Sequence, residues 1–224
     1  MSGFLRVNSY FPCFPNLVAR KESVVYNDVA VGVSQSIDTK ECKVTGFRFL
    51  GDETVAGLSH LTVVRASFEA PTGDVFEREV VRLNDAVAMV PLHDDGTVSL
   101  VRQYRGPVDM ELLEIPAGMC DVEGEAYEVA AQRELIEELG LRAESLECVY
   151  GYYTAPGFSD HFIRIFIAEG LVEVPMSRYG FEEDAMTVET IHIEDFPQLV
   201  SEGVFKDSKT VIGLQFAYQR FMNF

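Results

Sequence analysis

The chain has 224 residues, with 36 acidic against 18 basic side chains, a formal net charge of −18 at pH 7, and a hydrophobic fraction of 47%. That apolar content fills a core, and the length suits one large domain or a catalytic domain with a smaller companion. So acidic a chain argues against nucleic acid and anionic membrane as partners, because phosphate backbones attract basic surfaces.

From the N-terminus, Met1-Ser2-Gly3-Phe4-Leu5-Arg6 runs into polar Asn8-Ser9 and then Pro12 and Pro15, which is not the layout of a signal peptide. No apolar run reaches the roughly 20 residues of a membrane span. Cys13, Cys42, Cys120 and Cys148 are scattered without metal-ligand spacing, so reduced thiols in a cytoplasmic protein are the expectation. Residues 1–20 show no period and read as an irregular arm. Val24-Val25-Tyr26, Val29 to Val33, Val44 to Phe47 and Leu61 to Val64 are β-branched or aromatic runs broken by polar turns. Pro71-Thr72-Gly73-Asp74 turns the last of these into a strand from Val75 to Arg82. A boundary near Asn84 divides an N-terminal arm and antiparallel sheet domain (1–83) from a catalytic domain (84–224).

Ala86 to Leu92 is a nearly continuous apolar strand of the kind buried on both faces. Asp94 to Thr97 turns it into a strand from Val98 to Arg105, and Leu112 to Ile115 is a short strand delivering Pro116-Ala117-Gly118. The spacing predicts a helix over Glu125 to Leu139, a stretch free of Pro and Gly and rich in Ala, Glu, Leu and Gln, stopped by Gly140 in the left-handed conformation. Leu146 to Tyr153 and Phe162 to Ile167 read as strands around a loop, and Val188 to Ile193 as another. Glu194 to Ser201 and Ser208 to Phe221 read as helices, with Asp207 the N-cap of the second. Strands and helices interleave, so a sheet covered by helices is expected, an α/β (α+β) fold.

The predicted helix at 125–139 carries the chemistry. At about 100° per residue, Glu134, Glu137 and Glu138 share one narrow face, while Val129, Leu135, Ile136 and Leu139 fall where they can meet a core. Each like-charge pair at i,i+4 costs roughly 0.2–0.5 kcal/mol. Solvent alone could cover such a ridge; a cation offsets it better, and hard oxygen ligands favour Mg²⁺ or Mn²⁺. Arg133 stands four residues before Glu137 and could fix its rotamer.

The sharp turn Pro116-Ala117-Gly118, the acidic loop ending at Glu125, and the run Arg133-Glu134-Leu135-Ile136-Glu137-Glu138-Leu139-Gly140-Leu141 resemble the Nudix box. That box reads Gly, five residues, Glu, seven residues, Arg-Glu-aliphatic-x-Glu-Glu-x-Gly-aliphatic. Every fixed position from Glu125 to Leu141 matches; six residues instead of five separate Gly118 from Glu125. Val101-Arg102-Gln103-Tyr104-Arg105, Glu114-Ile115-Pro116-Ala117-Gly118 and Pro156-Gly157-Phe158-Ser159-Asp160 further resemble the bacterial ADP-ribose pyrophosphatase branch. In that branch a proline stands about sixteen residues past the last box glycine, the place of Pro156 relative to Gly140.

The resemblance implies an α/β/α sandwich with a mixed sheet, preceded by a small antiparallel sheet that pairs two subunits into a homodimer. It implies hydrolysis of the ADP-ribose pyrophosphate to AMP and ribose 5-phosphate. Two or three Mg²⁺ or Mn²⁺ ions would be held by Glu134, Glu137, Glu138 and the Ala117 carbonyl, with Gly118, Glu125, Arg133 and Gly140 shaping the motif. Nucleotide sugars are the alternative substrates, and a non-catalytic ADP-ribose-binding sensor is a further alternative, against which every box glutamate stands intact. Arg78 and Arg105 are candidates for phosphate or adenine contacts, or else strand arginines in ion pairs; Pro156 is placed with the substrate. Where the branch carries a glutamate as general base, this chain has His161. Asp160, His161 or Glu137 could take that role, and the sequence leaves the three open.

Overall fold

The computed structural model describes residues 46–176 and 185–222. The arm at 1–20, the strand-like runs at 24–33, the start of the 44–47 run, Cys13, Cys42 and the acidic residues 182–184 lie outside the described residues.

Three antiparallel strands come first: β1 (Arg48–Gly57), β2 (Leu61–Glu69) and β3 (Val75–Leu83), in that spatial order. The turn between β2 and β3 closes where the Pro-Thr-Gly-Asp sequence put it, with Gly73 N–H donating to the Ala70 carbonyl at 2.9 Å. Of the residues in this sheet only Val64 and Ala66 are buried. Of the run at 44–47 only Gly46 and Phe47 are described, Gly46 in a turn, and the first described strand begins at Arg48.

Next come β4 (Ala86–Pro91), β5 (Thr97–Arg105), β6 (Met110–Glu114) and β7 (Ala117–Met119), then helix α1 (Tyr127–Leu139) and β8 (Leu141–Arg142). They are followed by β9 (Ser145–Tyr153), β10 (Phe162–Glu169), β11 (Val172–Glu173), β12 (Thr187–His192), α2 (Phe196–Ser201) and α3 (Ser208–Phe221). The central sheet has the order β7-β4-β10-β9 and is mixed, because β4 and β10 run parallel and the other neighbours antiparallel. A second sheet, β12-β5-β6, lies alongside, and β8 pairs with β11.

Every residue of β4 is buried, and its pleat feeds two cores. Ala86, Ala88 and Val90 pack with Leu214 and Ala217 of α3. Val87 and Met89 pack with Ala130, Ala131, Leu135 and Leu139 of α1. Alternate side chains of a strand point to opposite faces, so this division places the sheet between two helices. Each large apolar side chain so buried contributes about 1.5–3 kcal/mol.

Two expectations are corrected along α1. The helix starts at Tyr127, two residues later than the sequence suggested, because Ala126 is extended and leaves Glu125 in the preceding loop. Val129 does not meet the core; it is 56% exposed, and Ile136 is only partly covered. Gly140 does end the helix in the left-handed region, at φ 64°, its N–H donating to the Ile136 carbonyl at 2.9 Å. The helical stretch from Glu194 resolves into a 3-10 turn (Ile193–Asp195) followed by α2. Asp207 caps α3 by accepting from Thr210 N–H at 2.9 Å. Among the described residues no helix is long and apolar enough to cross a membrane.

Candidate active site

Strand β7 and helix α1 meet edge to face, and that meeting builds the site. Ala117 N–H donates to Glu138 Oε2 at 3.3 Å, while the carboxyl of Glu134 occupies the space a side chain at Gly118 would need. Glu138 is 6% exposed. Burial pushes its carboxyl up to about 8, and the Glu134 charge adds to the rise. Burial raises Glu134 as well, against the pull of Arg133. Two carboxyls driven upward in one small space form an electrostatic deficit that a cation would relieve.

Arg133 holds the ridge together from outside. Its guanidinium donates to Glu125 Oε2 at 3.1 Å, Glu134 Oε1 at 2.6 Å and Glu137 Oε2 at 3.2 Å. Glu125 therefore acts from the loop, eight residues back along the chain. Among the described residues no group of three or more His, Cys, Asp or Glu side chains converges as a preformed cation cage. Arg133 draws Glu134 and Glu137 together with Glu125 instead. The donor set still fits a hard divalent ion: carboxylate oxygens beside the β7 backbone, one of them buried and charge-burdened.

Beside this corner opens a cavity of about 480 Å³, walled by Arg105, Glu114, Ala117, Gly118, His161 and Lys209 among others. Arg105 Nε and Nη2 donate to Glu114 Oε1 and Oε2 at 2.9 and 2.8 Å, a bidentate fork. Lys209 Nζ pairs with the same carboxylate and with Asp207 Oδ2 at 3.0 Å. Glu114 is 1% exposed; burial pushes its carboxyl up, but Arg105 and Lys209 outweigh that and hold it below its ordinary value.

The sequence-derived candidates thus divide. Ala117, Gly118, Glu134 and Glu138 come together, with Arg105 and His161 on the adjoining cavity wall. Glu137 faces Arg133. Arg78 is exposed on β3, donating to the Glu77 carbonyl with its guanidinium 4.8 Å over the Phe76 ring, and does not line this cavity. Pro156 is exposed in its loop, and Asp160 points to Arg82 and β3. Sequence reasoning gave no role to Glu114 or Lys209. They stand 95 residues apart, and only the docking of α3 onto the β6 end pairs them. The local signal was two charged residues inside otherwise core-forming elements. Burial pushes the Cys120 thiol up to about 11, which disfavours the thiolate.

A mixed sheet between two helices, with a carboxylate-bearing helix packed under a glycine corner and a cavity beside it that holds Arg105 and Lys209 with their acidic partners, suits a pyrophosphohydrolase. Comparison with known proteins agrees. The NUDIX domain family matches residues 82–208. The chain is 36% identical over 148 residues to an ADP-ribose pyrophosphatase of Bacillus subtilis, covering 66% of this chain and 80% of that one. It is 36% identical over 168 residues to an ADP-ribose pyrophosphatase of Mycobacterium tuberculosis, covering 75% and 81%. A crystal structure of an ADP compounds hydrolase superposes with a TM-score of 0.69 at 25% identity, covering 81% of this chain and 96% of that one. The chain belongs to the NUDIX domain family and is an enzyme of it.

Proposed function

We propose that this chain hydrolyses the pyrophosphate of ADP-ribose to AMP and ribose 5-phosphate, with Mg²⁺ or Mn²⁺ as cofactor, two to three ions per site. The observation that carries this reading is the packing of Glu134 and Glu138 against the Ala117–Gly118 corner, at the wall of a cavity that also holds Arg105 and Lys209. The similarity to two ADP-ribose pyrophosphatases supports the substrate class. Glu134, Glu137 and Glu138 with the Ala117 carbonyl would hold the cations, which when bound screen diphosphate charge and lower the pKa of water. Arg105, a planar fork already oriented by Glu114, suits a phosphate oxygen pair. Lys209 adds a second positive charge on the same wall.

The same reading includes a cytoplasmic homodimer joined through the β1-β2-β3 sheet. Phe49 and Val75 are 55% and 63% exposed there, and Phe47, just before β1 and against Phe76, is 54% exposed, an apolar surface of the kind that interfaces cover.

The test is phosphate release coupled to a phosphatase, over ADP-ribose, nucleotide sugars and dinucleoside polyphosphates, with Mg²⁺ or Mn²⁺. The expected outcome is the highest kcat/KM with ADP-ribose and none with chelator. Preference for a nucleotide sugar would move the substrate, and no release from any substrate with either ion would overturn the reading.

A further inference from the structure

Asp85, the residue before β4, holds both ends of the loop that joins β7 to α1. Its backbone carbonyl accepts from Cys120 N–H, one residue past β7, at 2.8 Å. Its carboxylate accepts at Oδ2 from the hydroxyl of Tyr127, the first residue of α1, at 2.9 Å. Arg164 of β10 donates to the same oxygen at 2.9 Å, and its guanidinium lies 3.6 Å over the Tyr127 ring. Arg164 is itself fixed, because β10 pairs with β4 beside Asp85, Ile163 opposite Ala86 and Arg164 opposite Val87.

Between the two anchored ends the chain runs in solvent: Asp121, Val122, Glu123 and Gly124 are all exposed. This is the stretch that carries the extra residue, six between Gly118 and Glu125. An exposed loop takes up one more residue at little cost. Helix α1 tolerates no such displacement. A Cβ at Gly118 would stand 1.9 Å from Glu134 Cδ, and Ala117 N–H reaches Glu138 Oε2 at 3.3 Å. One residue of helix rise is about 1.5 Å, enough to break both contacts. The packing of Ala130, Ala131, Leu135 and Leu139 with Val87 and Met89 holds α1 on the sheet, but apolar attraction is non-directional. Hydrogen bonds, which need a set distance and angle, fix the place along the axis.

We propose that Asp85 is a positioning residue: by fastening Cys120 and Tyr127 to one point, it seats α1 beneath the Gly118 corner whatever the length of the loop between them. The proposal rests on the diphosphate-hydrolase reading above, since Glu134 and Glu138 are the carboxylates so placed. Arg133 ties the ridge to Glu125 of the loop and reaches β7 at the Met119 carbonyl, 3.5 Å away. The Tyr127–Asp85 bond is shorter than that reach and has a charged acceptor, which strengthens it.

The experiment compares wild type with Tyr127→Phe, Asp85→Asn and a deletion of Glu123 that restores the five-residue spacing. Tyr127→Phe keeps the ring under Arg164 and removes one hydroxyl, so the fold survives. The first arm needs neither metal nor turnover: amide hydrogen exchange is followed by NMR. In Tyr127→Phe the Ala117 amide should exchange about tenfold faster or more, as local opening allows, while Ile165 and Phe166 of β10 keep their rates. Asp85→Asn, which keeps an oxygen for the hydroxyl, should fall between. The Glu123 deletion should leave Ala117 protected.

The second arm measures kcat, KM and calorimetric Mn²⁺ affinity. Tyr127→Phe should lose about tenfold in kcat and in Mn²⁺ affinity, with KM little changed. The Glu123 deletion should stay within about threefold of wild type in each, as exposed loop tips tolerate change. An unchanged Ala117 rate in Tyr127→Phe, or a Glu123 deletion that loosens Ala117 equally, would overturn the proposal. A rise in exchange spread evenly over β10 would overturn it too, since Asp85 would then serve the whole sheet. If wild type cleaves no diphosphate, the parent reading fails through the second arm, while the Ala117 amide still decides the clamp.

Discussion

Glu134 fills the space that a side chain at Gly118 would need: a Cβ built there would stand 1.9 Å from Glu134 Cδ and 2.2 and 2.3 Å from its two oxygens. The backbone at Gly118 does not lie in the left-handed region, so the glycine serves close approach. Gly118→Ala should therefore fold, since the clash is with the far end of a flexible side chain. The displaced carboxylate costs on the order of 1 kcal/mol, as an off-rotamer side chain does. Turnover should fall by about tenfold or more, because geometry at a reacting centre tolerates little displacement. Near-wild-type kcat with an unchanged Tm would show that Glu134 need not sit under the corner.

Glu138 is the most enclosed of the three ridge carboxylates, and Ala117 N–H reaches it from β7. Glu138→Gln keeps the shape and a carbonyl acceptor for that N–H while deleting the charge. The expected result is loss of turnover on the order of a hundredfold or more, with weaker binding of Mg²⁺ or Mn²⁺ by calorimetry and an intact circular dichroism spectrum. Full activity would remove Glu138 from the cation set.

The pairing of Glu114 with Arg105 and Lys209 makes a pH prediction. A carboxyl held low in the folded state favours folding above its ordinary value of 4.5, and that benefit fades as pH falls through the folded value. Glu114→Gln should cost about 3 kcal/mol near neutral pH, as breaking a buried pair does by leaving its partners uncompensated. Urea unfolding should show the gap between wild type and variant narrowing as pH falls below 4.5. A gap that stays constant over that range would mean the charge on Glu114 contributes nothing.

Much of this fold was legible where a local pattern coincided with burial. The apolar run of β4, the Pro-Thr-Gly-Asp turn, the Gly140 stop and the Asp207 cap each follow from side-chain period or backbone chemistry within a few residues. Strand β1 was not legible. Its sequence Arg-Phe-Leu-Gly-Asp-Glu-Thr-Val-Ala-Gly is exposed nearly throughout, and register shifts between Phe49 and Gly51 and between Thr54 and Ala56 break any alternation. Strand β7 was hidden for another reason: three residues after a proline become a strand only because β4 pairs with them. In the site, the Glu134–Glu137–Glu138 ridge showed in helical spacing. The split between Asp160 and His161 did not, since it depends on β3 lying against one of two adjacent residues.

Arg133 provides the last prediction. Its single guanidinium serves Glu125, Glu134 and Glu137 at once, and all of these groups are partly screened by solvent. In chelator, Arg133→Gln leaves the ridge carboxylates to repel one another. A loss of about 1–2 kcal/mol is expected, reduced from the buried-pair value by that screening, or roughly 2–8 °C in Tm for a chain of this size. Added Mg²⁺ or Mn²⁺ should raise the variant's Tm more than the wild type's, because bound cation takes over the offset that the arginine gave. The comparison separates two causes of repulsion relief. If the Tm difference between variant and wild type is the same with and without divalent ion, the ridge is an ordinary ion-pair network that Arg133 alone stabilises. If the difference closes on adding the ion, guanidinium and cation compete for the same oxygens, and Arg133 holds those carboxylates near one another until the cation binds.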